Sequence, residues 1–173
     1  MLLIFILVSG CGENSATLVE GVNIGNIATQ IKGEDAEGKK LQLDAYKGKV
    51  VLLSFWASWC GPCKELLPYE KQMLKTFKDQ PFVLLGINSD IDKSALIKAQ
   101  QQYDMTWPSL WDGTGAIIRE WNIPFLPMLI LIDEKGIIRF NSKSIMDDIS
   151  SFGDLAEKVE LQIQKTLDRM GKK

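Results

Sequence analysis

Seven consecutive residues, Val50-Val51-Leu52-Leu53-Ser54-Phe55-Trp56, form a nearly unbroken apolar run that ends one short loop before Cys60-Gly61-Pro62-Cys63. A run of this length without polar alternation predicts a strand covered on both faces, which requires helices on each side of a sheet. Pro62 suits the first turn of a helix, where its missing N–H costs nothing. Leu66, Leu67, Met73, Leu74 and Phe77 then recur at helical spacing, predicting a helix to about Lys78 with one face on the sheet. Pro68 removes one backbone bond inside that helix and predicts a kink. Two thiols at a strand-to-helix junction can close and reopen a small disulfide ring, so the spacing points to redox chemistry.

The rest of the composition narrows the chemistry. The 173 residues hold three cysteines and no histidine. A structural zinc site needs four protein ligands, which one chain cannot supply here; only a site shared between two subunits would. A purely structural bridge between Cys60 and Cys63 would close too short a loop to stabilise the fold much. The net charge of −2 is spread among interspersed acids and bases, so no nucleic-acid surface is expected.

Strand and helix signals alternate from about Ile24, favouring one α/β domain over 24–173. Asp35-Ala36-Glu37-Gly38 predicts the turn of a β-hairpin within Ile24 to Leu43. Further strands are expected at Phe82 to Ile87, Trp107 to Leu110, Met128 to Asp133 and Ile137 to Asn141, the last two joined by the turn Glu134-Lys135-Gly136. Helices are expected from Asp92, as N-cap, to Tyr103, and from Thr114 to Trp121. The clearest helix carries Leu155, Val159, Ile163, Leu167 and Met170, with Ser151 and Asp154 as a capping-box-like start.

Residues 1–11 read differently. Met1 to Val8 is apolar but shorter than the roughly 20 residues needed to span a bilayer, and it fits the apolar region of an export signal, although no basic residue precedes it. Leu7-Val8-Ser9-Gly10-Cys11 resembles a bacterial lipobox, which implies lipidation of Cys11, a tether over 12–23, and attachment at the extracytoplasmic or periplasmic face of a membrane. Gly12, in place of a retention aspartate, points to the outer membrane where a cell has one.

The segment Phe55-Trp56-Ala57-Ser58-Trp59-Cys60-Gly61-Pro62-Cys63-Lys64 resembles the thioredoxin superfamily. The hairpin ending in Leu43-Asp44-Ala45-Tyr46-Lys47-Gly48-Lys49, the insertion before Trp121, and Phe125-Leu126-Pro127-Met128 are similar to its membrane-associated TlpA/ResA-like branch. The likeness spans about Gly25 to Lys165. It implies a central mixed β-sheet flanked by helices, a thiol-disulfide oxidoreductase with no cofactor beyond the Cys60-Cys63 disulfide, and no metal. The partners it implies are protein thiols or disulfides and an upstream membrane electron donor, with apocytochrome c thiols among the substrates and the chain acting as a monomer.

The resemblance also distributes roles. At a helix N-terminus, Cys60 would be stabilised as thiolate and attack, while Cys63, one turn further in and more buried, would resolve the mixed disulfide. Gly61 and Pro62 accompany reducing members of the family. Pro127 is expected in cis, with the Leu126 peptide group binding substrate backbone as an added strand. Trp59 is expected at an apolar lip, Trp56 in the core. The family's buried carboxylate and its lysine partner fall at Ser54 and Gly86, and the branch's glutamate position falls at Leu66, with Glu65 turned to solvent. General-base help for Cys63 is therefore expected to come from water or to be weak.

Three other readings compete. A peroxiredoxin-like peroxidase would want Thr or Ser three residues before the reactive cysteine, where Ala57 stands. A copper carrier would want wider cysteine spacing and a histidine. A non-enzymatic binding module would use the Pro127 edge and leave the dithiol idle.

Overall fold

A computed structural model of the chain describes residues 18–171. Cys11, the leader and the start of the tether lie outside the described residues. Strand pairing begins at Glu20–Gly21 (β1), which runs parallel to Ile27–Ala28 (β2). It therefore starts ahead of Ile24, inside the stretch assigned to the tether. The Asn26 side chain accepts a hydrogen bond from Asn23 N at 3.1 Å and closes the turn between the two strands. The expected hairpin follows as Lys32–Glu34 (β3) and Lys40–Gln42 (β4). Asp35 turns it, accepting from Glu37 N and Lys39 N, and Gly38 takes the left-handed φ of 81° that favours glycine there.

The main sheet starts with Val50–Trp56 (β5), buried at every residue. It passes into Gly61–Thr76 (α1), Phe82–Asn88 (β6), Lys93–Gln102 (α2), Ser109–Trp111 (β7), Ala116–Glu120 (α3), Met128–Ile132 (β8), Ile138–Asn141 (β9) and Phe152–Met170 (α4). The order across the sheet is β7-β6-β5-β8-β9. The pairs β5-β6 and β6-β7 are parallel; β5-β8 and β8-β9 are antiparallel. This is the mixed sheet flanked by helices that the sequence implied, with β5 at its centre.

Several boundaries differ in small ways. The β7 strand begins two residues later than expected because its register is set by partners on β6, Gly86 opposite Ser109 and Ile87 opposite Leu110. Pro68 is accommodated inside a single helix, exposed on its outer side. Asp92 caps α2 by accepting from Ser94 N at 2.8 Å, and Ser151 caps α4 by accepting from Asp154 N at 3.1 Å.

Alternate residues of β5 feed two cores. Leu52 and Trp56 face α1 and α4 with Leu66, Leu67, Met73, Val159 and Ile163. Val51, Leu53 and Phe55 face α3 and the hairpin with Ile31, Leu41, Ile117 and Trp121. The centre of the sheet is thus fixed from both sides, and the loop leaving its carboxyl end leads into the start of α1, which carries the two cysteines.

Candidate active site

Cys60 and Cys63 form a disulfide, with Cα atoms 5.3 Å apart. Cys60 is the N-cap of α1, and its sulfur accepts the Cys63 N–H at 3.1 Å. A negative charge developing on that sulfur would meet the unsatisfied N–H groups and positive dipole end of the helix, which stabilise a thiolate. Pro62 stands in the first turn, as expected. The expected contrast in burial between the two cysteines is absent from this disulfide-bonded form: Cys60 is 4% exposed and Cys63 3%.

The loop before Cys60 is held from a distance. Asp90, buried just past β6, accepts from Ser58 N at 3.0 Å and from Ser58 Oγ at 2.9 Å. Asn88 Nδ2 donates to the same carboxylate at 2.8 Å, and Trp111 Nε1 donates to the Asp90 carbonyl at 2.7 Å. Asp90 therefore ties the ends of β5, β6 and β7 to the residue two before the reactive cysteine. Sequence reading missed it, because nothing local in Ser89-Asp90-Ile91 indicates a partner 32 residues earlier.

Around the disulfide, Trp59 projects into solvent, 69% exposed, and Phe125 beside it is 39% exposed. Together with Ile118, Ile123, Pro124 and Leu126 they line an open, mainly apolar groove of about 300 Å³. The Leu126-Pro127 peptide bond is cis, as the family resemblance implies. Leu126 is half-buried and Pro127 buried. Trp56 is in the core, also as expected. The structure thus brings Trp59 and Leu126 to one groove and leaves Pro127 beneath the surface at its edge. Gly61 and Pro62 are exposed at the start of α1.

The interior side of the site holds a surprise. Cys63, Leu66, Leu67 and Met73 make the buried stripe of α1, and Glu70 lies in the same stripe, only 3% exposed. Burial pushes its carboxyl up from the ordinary 4.5 to about 7, and a hydrogen bond from the Ser54 hydroxyl offsets part of that rise. Glu65 is exposed, as expected, and Leu66 and Leu67 take the inner face. Ser54 and Gly86 are directly opposite each other on β5 and β6. So a buried carboxyl does reach Ser54, from the helix instead of the sheet. The available signal was helical arithmetic: residue 70 is seven after Cys63, two turns along the same face.

Among the described residues no cluster of histidine, cysteine, aspartate or glutamate could hold a metal ion, and no helix among them is long and apolar enough to cross a membrane.

A disulfide at a helix N-terminus, a groove beside it and a cis-proline edge on a five-stranded mixed sheet define a thioredoxin-like thiol-disulfide oxidoreductase. Residues 24–141 match the AhpC/TSA family, and the chain belongs to that family. It is 33% identical over 140 residues to the thiol-disulfide oxidoreductase ResA of Bacillus thuringiensis, covering 77% of this chain and 81% of that one. Among solved structures, a putative thiol:disulfide interchange protein DsbE from Chlorobium tepidum superposes with a TM-score of 0.75 at 27% identity, over 85% of this chain and 99% of the other. The thioredoxin domain of a thiol-disulfide oxidoreductase from Bacteroides vulgatus gives 0.71 at 26%, over 83% and 99%. Its relatives and the Cys60-Cys63 bond together establish dithiol-disulfide exchange as the chemistry, which sets aside the reading of an idle dithiol.

Proposed function

We propose that this chain is an exported oxidoreductase, held at a membrane surface by a lipid on Cys11, that reduces or exchanges disulfides in protein substrates. The observation that carries the reading of protein substrates is the groove: an exposed Trp59 and Phe125 beside a nearly buried disulfide. A small thiol needs no such surface, whereas a polypeptide gains apolar contact there while its backbone pairs with the Leu126 peptide group. Substrates of this kind include the cysteines of apocytochrome c awaiting haem.

In the reducing direction, Cys60 thiolate attacks one sulfur of the substrate disulfide, forming a mixed disulfide and releasing the other substrate sulfur as a thiolate. Cys63 then attacks Cys60, closing the Cys60-Cys63 bond and freeing the first substrate sulfur. Two electrons pass to the substrate, and an upstream membrane dithiol restores the reduced pair. Gly61-Pro62, which accompanies reducing relatives, supports this direction, and acting as a monomer would leave the groove open to substrate.

A Cys63→Ala protein expressed in an exporting bacterium tests the reading. It is expected to accumulate mixed disulfides between Cys60 and exported proteins, sensitive to dithiothreitol and absent when Cys60 is also replaced. Absence of trapped partners would remove the protein-substrate reading. Labelling with a radioactive lipid precursor is expected to mark the wild-type chain and not Cys11→Ala; label kept by the variant would refute the anchor.

A further inference from the structure

The buried carboxyl of Glu70 is surrounded by polar atoms that the fold leaves unmatched. Glu70 Oε1, Trp56 Nε1 and Ser109 Oγ are all buried, and none has a hydrogen-bond partner among the described residues. The last two crowd together over Gly86. A Cβ on Gly86 would collide with Ser109 Oγ and come within 2.9 Å of Trp56 Nε1, and Ser54, which donates toward Glu70, is the cross-strand neighbour of Gly86. Buried polar atoms left unmatched are costly, so such a group in an otherwise apolar core calls for an explanation.

Cys63 supplies one. It is on the same face of α1 as Glu70, with Cα atoms about 10 Å apart along the axis at 1.5 Å per residue. Glutamate side chains on a helix lean toward its N-terminus, so the carboxyl reaches back toward the sulfur. Glu70 Oε1 has no partner among the described residues, which leaves one buried carboxylate oxygen to accept a proton.

We propose that Glu70 is the proton acceptor for the resolving thiol Cys63. Cys63 S–H gives its proton to the Glu70 carboxylate. The Cys63 thiolate attacks Cys60 sulfur in the mixed disulfide; the Cys60-Cys63 bond forms, the bond to the partner sulfur breaks, and the partner leaves as a thiolate. The protein is oxidised by two electrons, the partner is reduced, and Glu70 later returns its proton to solvent. Run backward, protonated Glu70 protonates the departing Cys63.

The electrostatic surroundings suit a group that changes charge near neutrality. Burial raises the carboxyl and the Ser54 hydroxyl lowers it, with no charged side chain contributing. Helix α4 brings Leu155, Val159 and Ile163 to this core, β6 brings Leu84, and α2 brings Leu96 and Ala99. Of titratable groups outside the redox pair, Tyr103 packs against the same core from the end of α2. Lys71, next on α1, pairs with Asp104 at 3.8 Å, both exposed.

The inference rests on the dithiol exchange itself and not on its direction or partner, so oxidised glutathione serves as the probe. Reduced protein is mixed with it, quenched in acid and weighed by mass spectrometry, which separates formation of the Cys60 adduct from its resolution by Cys63. In wild type, resolution is expected to quicken through pH 7 as Glu70 loses its proton. In Glu70→Gln it is expected to slow at least tenfold at pH 7, to accumulate the adduct, and to lose that inflection, while adduct formation is unchanged within twofold. Glu70→Asp is expected to restore the inflection in part. Resolution in Glu70→Gln at the wild-type rate, or slowing with the inflection intact, would overturn the assignment. An independent readout is the carboxyl band in the infrared difference spectrum between oxidised and reduced protein, expected in wild type and lost in Glu70→Gln. A failed search for trapped protein partners would leave both measurements untouched.

Discussion

On one face of the central sheet, Val51, Leu53, Phe55, Leu85 and Ile87 pack against Ile117 and Trp121 in an apolar core. On the other, Leu52, Trp56 and Leu84 share their layer with Ser54, Ser109 and Glu70. The strands are the same and the residues alternate, so backbone geometry does not explain the difference. What differs is what each face packs against: the polar interruption lies under α1, the helix that starts with the redox pair. One face is built for packing alone. The other carries polar atoms whose burial costs stability, as expected where a core also has to move a proton.

The largest expected effect tests the first half of that contrast. Phe55 is fully buried, with its ring centroid 6.0 Å from that of Trp121. Phe55→Ala should cost about 3–5 kcal/mol, and because no titratable group is involved, the loss should be the same at pH 5 and pH 8. Denaturant titrations of the oxidised protein at both values check this; a strongly pH-dependent loss would mean that the packing face is coupled to an ionisable group.

Glu70→Gln tests the second half. A carboxyl raised from 4.5 to about 7 on folding keeps its proton in the native state after the unfolded chain has released it. Below pH 4.5 both states are protonated and the shift costs nothing. Between pH 4.5 and 7 the native state binds more protons, so stability falls as pH rises, reaching a plateau above 7. At about 1.4 kcal/mol per tenfold change in acidity, the total is about 3 kcal/mol. Gln stays neutral throughout. The variant should therefore gain on wild type by about that amount between pH 4.5 and 8, a trend opposite to the usual loss on removing a buried side chain. A pH-independent difference between the two would show that Glu70 does not titrate in this range.

Asp90 comes next in size, and belongs to neither face. Asp90→Ala leaves Ser58 N and Asn88 Nδ2 without their carboxylate partner, at a cost of about 2 kcal/mol. The loop carrying Trp59 and Cys60 should loosen, with faster hydrogen exchange at the Ser58 amide and several-fold slower attack by Cys60 on oxidised glutathione. Unchanged exchange at Ser58 would mean that the loop is fixed by the sheet alone.

These three residues also show how far the sequence could be read. Phe55 was legible as core because an apolar run needs no partner to be recognised. The reactive pair, the caps at Asp92 and Ser151, and the hairpin turn at Asp35 to Gly38 were legible because each is a local pattern with a local cause. The position of Pro127 came from its motif context. Glu70 was hidden by the pattern that located its helix: an apolar stripe is traced through its hydrophobic members, and a charged residue at a stripe position is passed over. Asp90 was hidden by distance, since its partners are set by how β5 and β6 end beside one another. The later start of β7 had the same origin, in a register that β6 imposes.

Ser109→Ala gives the smallest effect and the finest test of the comparison. Its hydroxyl is buried and has no partner among the described residues, so removing it breaks no hydrogen bond within the protein. Where deletion of a bonded buried group costs about 1–3 kcal/mol, this one should change stability by less than about 1 kcal/mol. If the unmatched polar atoms of this face serve proton transfer, resolution of the glutathione adduct should slow by a small factor, well short of the Glu70→Gln effect, because the carboxyl itself is kept. The wild-type inflection near pH 7 should remain, since the titrating group is intact. A stability loss above 2 kcal/mol would instead show that Ser109 anchors β7 through its hydroxyl, making the polar residues of this face structural like the apolar ones behind them.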